Sequence, residues 1–177
     1  MEALRERLYT MEDIEQLPDG ERAELIDGQI YFMAPPGMTH QRLVSRLNQI
    51  FANYIEENAG SCEVFPAPFA VFLHEDRQNY FEPDITVVCD PDKLDERGCH
   101  GAPDLVIEIV SESSRRMDYM LKLFQYQSAG VREYWIVDPK KQRITVYNFE
   151  QGAMDEYSFE DEVPVGIYDG FSVKLKG

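Results

Sequence analysis

With 177 residues, 44% of them hydrophobic and 12% aromatic, the chain is long enough to bury a core as one domain over residues 1–177 and too apolar to be disordered. Its formal net charge of -16 excludes a protein that coats nucleic acid by bulk cationic attraction. Cys62, Cys89 and Cys99 form an odd set without Cys-x-x-Cys spacing, so neither a zinc knuckle nor a disulfide framework is expected.

Thr10 precedes Met11–Leu17, with acids in the first turn, and predicts a short helix that stops at Pro18-Asp19-Gly20. Ala23–Ile26 and Gln29–Met33 flank Asp27-Gly28, the dipeptide that supplies positive dihedrals to a tight turn, and predict a β-hairpin. After Pro35-Pro36-Gly37, Leu43, Val44, Leu47, Ile50, Phe51, Tyr54 and Ile55 recur at helical spacing. They predict an amphipathic helix from about His40 to Asn58, stopped by Asn58-Ala59-Gly60.

Strands are expected over Cys62–Phe65, Phe69–His74 and Glu82–Cys89, with Cys89 a small buried residue at the end of its run. An acidic connector from Asp90 reaches Gly101. Asp104–Val110 then alternates Leu105, Ile107 and Ile109 with Val106, Glu108 and Val110, so both faces are apolar and a central strand is predicted. Ser111–Ser114 caps a second helix running to Ala129, where Gly130 ends it. Glu133–Asp138, Arg143–Phe149 and Met154–Phe159 complete a mixed α/β architecture, a β-sheet flanked by helices.

Charge is unevenly distributed. From Arg115 to Arg143 seven cations face three acids, a local charge of +4, which leaves -20 for the remainder. A nucleic-acid substrate requires that segment to form a local basic face. No signal-peptide pattern opens the chain and no apolar run approaches membrane-spanning length, so a cytoplasmic protein with no membrane partner is expected.

The chemistry centres on two carboxylates. Asp84 opens the Ile85–Val88 run and Glu108 interrupts Leu105–Val110; an acid inside an apolar strand is costly without compensation. If the two strands pair, Asp84 and Glu108 converge on one divalent cation, with the backbone carbonyl of Ile109 as a third ligand. Mg²⁺, or Mn²⁺, held in this way suits phosphodiester hydrolysis. Spacing alone makes Lys122 the i,i+4 partner of Asp118 on an exposed helix face, a pair worth a few tenths of a kcal/mol. Glu24, alone in its strand, is expected to face solvent unless it supplies a further acid, and His40 reads as an ordinary hydrogen-bonded residue at a helix start.

Taken together, Glu24–Gly28, His40 opening a helix, Glu82-Pro83-Asp84-Ile85, Ala102–Ser111 and Tyr126–Pro139 resemble the Uma family, a bacterial group labelled "putative restriction endonuclease" within the PD-(D/E)XK nuclease superfamily. The resemblance runs from about Tyr9 to Tyr147 and implies a restriction-endonuclease-like mixed sheet. It makes Asp84 the metal-binding aspartate, Glu108 the second acid and Glu24 an additional early acid. The superfamily lysine expected two residues after the second acid is Val110 here, and Lys122 matches a lysine displaced to the following helix. Pro103-Asp104 imitates the signature dipeptide, but Asp104 lies about 13 Å along the strand from Glu108 and is expected to be structural. The expectation is a Mg²⁺-dependent endonuclease acting on DNA as a homodimer. The alternatives are a catalytically weak module for nucleic-acid binding or self-assembly, and a hydrolase of a small phosphorylated metabolite.

Overall fold

The computed structural model describes residues 7–58, 60–112 and 114–176. Ala59 of the expected helix stop, Ser113 of the expected cap and residues 1–6, which open the chain without a signal-peptide pattern, lie outside them.

In chain order the elements are α1 (Met11–Glu15), β1 (Ala23–Ile26), β2 (Gln29–Phe32), α2 (Met38–Glu57), β3 (Glu63–Pro66), β4 (Val71–Phe72), β5 (Ile85–Val88), β6 (Leu94–Asp95), β7 (Gly98–His100) and β8 (Leu105–Ile109). A π-helical turn, Met117–Lys122, then runs directly into α3 (Leu123–Ala129), followed by β9 (Glu133–Asp138), β10 (Arg143–Asn148), β11 (Ala153–Ser158), β12 (Val163–Pro164) and β13 (Ser172–Val173). Six strands form one mixed sheet in the order β11-β10-β9-β8-β5-β3. Within this sheet, among the described residues, only β8 and β9 pair in parallel, because the helix between them carries the chain back to the same end of the sheet.

All five residues of β8 are buried, as its two-sided apolar pattern requires. Leu105, Ile107 and Ile109 face a core shared with Val44, Leu47 and Phe51 of α2 and with Val163 and Val173. Val106 and Val110 face a second core with Ile26 of β1, Val71, Phe81 and Tyr126 of α3. Glu108 shares that second face, and the helix covering it determines what the carboxylate meets.

The hairpin turns at Asp27 (φ 49°) and Gly28 (φ 74°), the left-handed pair that the dipeptide promised. Hydrogen bonds in both directions between Leu25 and Tyr80 dock β1 on the segment leading to Asp84. Gln125 of α3 donates to Asp27 from the other side. Gly130 (φ 94°) closes α3.

Several expectations need correction. Cys62 and Cys89 form a disulfide, contrary to the reading of unlinked cysteines. The register of β3 on β5, Glu63 opposite Val88, extends by one step to Cys62 opposite Cys89, a pairing that cysteine spacing in sequence does not reveal. The acidic connector is structured as well: Asp90 caps a 3₁₀ turn, and β6 and β7 pair beyond it. Tyr134 and Trp135 are fully buried inside the core, so this aromatic pair offers no surface to the expected homodimer. Among the described residues no helix is long and apolar enough to cross a membrane.

Candidate active site

The pairing of β5 with β8 creates the site. Ile85 lies opposite Ile107, so one further step along the register sets Asp84 against Glu108. Asp84 stands just before β5, and its Oδ2 accepts the Ile109 backbone N–H at 2.7 Å and bonds His40 Nε2 at 3.1 Å. An extended residue directs its N–H and C=O toward the same strand edge, so the Ile109 carbonyl shares that edge with Asp84. His40 arrives from the first turn of α2, which starts at Met38, two residues earlier than its periodicity indicated. Burial works to lower the His40 pKa, but the bond and charge of Asp84 outweigh it and the value is raised.

Glu108 meets the helix that follows it. Asp118, Lys122 and Tyr126 recur every four residues, and all three turn inward, at 1%, 4% and 0% exposure. The π-helical turn spanning Asp118 and Lys122 widens the helix over the sheet, a feature frequent at functional sites. Lys122 Nζ lies 2.8 Å from Glu108 Oε1, and the Tyr126 hydroxyl donates to that same oxygen at 2.8 Å. From β1, Glu24 Oε2 also lies 2.8 Å from Lys122 Nζ, while its Oε1 accepts the Glu82 N–H at 3.0 Å. Glu82 is anchored in turn by Arg22 and by the Tyr80 hydroxyl.

Thus four residues singled out from sequence, Glu24, Asp84, Glu108 and Lys122, line one cleft of about 520 Å³. Two of the simpler readings fail. Lys122 is buried rather than an exposed helix partner, and Glu24, 3% exposed, does not face solvent. Lys122 pairs with Glu108 and Glu24, whereas Asp84 is held by His40 and Ile109. Asp104 takes a structural place: it accepts the Cys89 N–H and pairs with Arg132.

Asp118 was seen in sequence only as the neighbour of Lys122. Its carboxylate lies in the cleft 3.7 Å from Lys122 Nζ, and neither oxygen has a hydrogen-bond partner among the described residues. The four-residue stripe Asp118, Lys122, Tyr126 is the signal that could have found it, because a helix packed over an acid-bearing strand presents such a stripe inward.

Three buried acids, Glu24, Glu108 and Asp118, therefore surround one buried amine. Burial would strip the amine of its charge, but the carboxylates of Glu108, Glu24 and Asp118 prevail and hold the Lys122 pKa well above its ordinary value. Burial raises Glu108 well above the carboxylate range and also raises Asp118, with Lys122 opposing both. Three acids share one amine, so when all three are ionised the cluster has fewer cations than anions, and a further cation entering the cleft would compete with protons for the same oxygens.

The donor chemistry suits a hard divalent ion. Carboxylate and carbonyl oxygens are what Mg²⁺ takes, and it is commonly bound through one or two carboxylates with water and phosphate oxygens completing its shell. The orphaned oxygens of Asp118 fit the same demand. Among the described residues no group of three or more His, Cys, Asp or Glu side chains is arranged to hold an ion on its own. The fit is to a two-carboxylate site that leaves the remaining positions to water and substrate.

The basic face expected over Arg115–Arg143 is largely neutralised. Arg115 pairs with Asp138, Arg132 with Asp104 and Glu150, Lys140 with Glu112 and Arg143 with Glu156, while Lys122 is inside the protein. Acids distant in sequence fold onto these cations, so a local charge count does not survive folding.

The sequence model of the Uma2 family, described as "Putative restriction endonuclease", matches residues 11–175. The chain belongs to this family. Among curated relatives, the uncharacterized protein slr1290 of Synechocystis is 30% identical over 129 residues, 72% of this chain and 66% of that protein. The uncharacterized protein sll1609 of the same organism is 25% identical over 130 residues, 72% of each chain. A crystal structure from Anabaena variabilis, described as a putative nuclease belonging to DUF820, superposes with a TM-score of 0.76 at 19% identity and covers 94% of both chains. This Uma2 chain therefore has the fold of that structure, a mixed sheet flanked by helices, and the four acids and the lysine are what it places in the cleft.

Proposed function

We propose that the protein is a Mg²⁺-dependent endonuclease, able to use Mn²⁺, that hydrolyses phosphodiester bonds in DNA. The observation that carries this reading is the convergence of Asp84, Glu108, Lys122 and Glu24 from four separate elements on one cleft. Family membership and the fold of the Anabaena structure support it.

In this reading Asp84 and Glu108 hold the cation, with the Ile109 carbonyl as a further ligand. The ion supplies charge neutralisation on the phosphate and acidifies water. Asp84 is oriented for this task by the Ile109 N–H and by His40, the kind of outer contact that fixes a ligating carboxylate. Lys122 acts as an ammonium donor rather than a base, because its pKa lies well above the ordinary lysine value. It orients the attacking water or a phosphate oxygen. Glu24 holds the Lys122 amine and is itself fixed by the Glu82 N–H. Cutting both strands of a duplex calls for two sites, so the proposed active unit is a homodimer.

Incubation of purified protein with DNA and RNA in Mg²⁺ or Mn²⁺ tests the reading, with cleavage expected to vanish in Asp84→Ala/Glu108→Ala. Undiminished cleavage in that variant would remove the assignment. A second reading, a catalytically weak module for nucleic-acid binding or self-assembly, is favoured by one observation: the Lys122 amine fills the gap between Glu24 and Glu108. Calorimetry showing no divalent-ion binding by a folded protein selects this second reading.

A further inference from the structure

The outer face of α2 is an exception to the acidity of this chain. Over its 20 residues no acid occurs before Glu56, while Arg42 and Arg46 stand one turn apart and both are exposed. Seven other arginines are each held by a carboxylate, including Arg22, Arg115, Arg132 and Arg143. Among the described residues the arginines without an ion pair are Arg42, Arg46 and Arg116. All three lie on the two helical segments that border the cleft: α2 contributes Met38 and His40 to its lining, and the segment beginning near Arg116 contributes Met117 and Asp118.

A shallow concavity of about 410 Å³ runs over α2 between Met38, Gln41, Arg42, Ser45, Arg46 and Gln49. Met38 also lines the cleft, so the two depressions adjoin at that residue. In a protein of net charge -16, guanidinium groups left without carboxylates on one face mark where an anion can settle.

We propose that this face of α2 is the docking track for a nucleic-acid strand, with Arg42 and Arg46 on its backbone phosphates and Arg116 on the far lip of the cleft. The proposal rests on the nuclease reading above and adds the surface by which the polymer is held. Arg42 and Arg46 are rooted four residues apart, about 6 Å of rise along the helix axis, a spacing that successive phosphates of one strand can match. Their planar forks suit bidentate contact with phosphate oxygens. Gln41, Ser45 and Gln49 add neutral groups of the kind that position a backbone without reading sequence. Elsewhere the excess acid repels a polyanion, so docking is confined to this track.

Salt-dependent binding tests the proposal. The full chain carrying Asp84→Asn, which blocks cleavage, is titrated against a fluorescently labelled single-stranded DNA oligonucleotide in Mg²⁺ at several salt concentrations, with anisotropy as the readout. Adding Arg42→Gln/Arg46→Gln is expected to weaken binding at least about tenfold and to reduce the slope of log affinity against log salt by about 1.4, or about 0.7 per phosphate contact. Arg97→Gln/Arg143→Gln removes the same formal charge from arginines already held by Glu15 and Glu156, and is expected to leave affinity and slope unchanged. The α2 substitutions lie at exposed positions, so an unaltered melting curve accompanies the expected result.

Unchanged affinity and slope in Arg42→Gln/Arg46→Gln overturn the proposal, as does equal loss in the Arg97/Arg143 control. Displacement of the DNA by polyglutamate as effectively as by unlabelled DNA also overturns it, since the face would then suit an acidic protein segment. If wild-type protein cleaves DNA while the α2 variant binds normally, the track falls and the nuclease reading stands. If no cleavage is found but binding depends on Arg42 and Arg46, the nuclease reading falls and the track stands.

Discussion

Lys122 Nζ lies 2.8 Å from Glu108 Oε1, inside the protein, where the two side chains are each about 5% exposed. A pair of this kind has an asymmetric energy: keeping it contributes little net stability, whereas removing one partner strands the other.

Replacing Lys122 by Met should therefore destabilise the fold. Glu24, Glu108 and Asp118 would lose their shared cation, at a cost of about 3–5 kcal/mol. The sign of the pH dependence follows from the acids. Without the amine the raised folded pKa values of Glu108 and Asp118 rise further, so the penalty is small where these two are protonated and grows as pH rises through those values. Urea unfolding at about pH 5 and about pH 8 should show the larger loss at the higher pH.

Asp118→Asn should act in the opposite direction. The folded pKa of Asp118 is raised by burial, so its contribution to stability is present below the ordinary aspartate range and is lost as pH rises through the folded value. The amide removes that penalty, and a gain on the order of 1 kcal/mol should appear at neutral pH and fade in acid. Thermal melts at the two extremes check it.

His40→Ala leaves Asp84 with only the Ile109 N–H to fix its Oδ2. Under the proposed function, divalent-ion affinity by calorimetry should fall about 10–100-fold, the usual effect of losing an outer partner of a ligand. The helix start should survive, since the structure gives His40 no capping role.

The Cys62–Cys89 bridge closes a separation of 27 residues. Thiol titration of unfolded, unreduced protein should count Cys99 alone, and reduction should raise the count to all three cysteines. Reduction should also lower stability by roughly 2–4 kcal/mol. In a reducing compartment the pair would persist as thiols.

How much of this was legible in the sequence depended on whether the signal was local. The hairpin at Asp27-Gly28, the central strand around Glu108 and the alternation of its faces were readable because turn dihedrals and strand period belong to consecutive residues. Pairing of the strand runs was an open condition, and the β5–β8 register is what brings Asp84 and Glu108 together. The burial of Lys122 was hidden because its spacing from Asp118 describes an exposed pair as well as an inward stripe. The family pattern distinguished the two where periodicity could not. Contacts made across the chain, Cys62 with Cys89, Arg115 with Asp138 and Glu24 with Lys122, left no trace in local composition, which is why the disulfide was missed and the basic segment over-read.

The central claim is that Asp84 and Glu108 form a cation-dependent hydrolytic site with Lys122. It is tested most directly by assaying DNA cleavage in Mg²⁺ for wild type, Asp84→Asn and Lys122→Gln, each verified as folded by circular dichroism. The account predicts cleavage by the wild type that a chelator abolishes, and a loss of at least about 100-fold in both variants. Wild-type rates in folded Asp84→Asn, or cleavage indifferent to chelator, would contradict it.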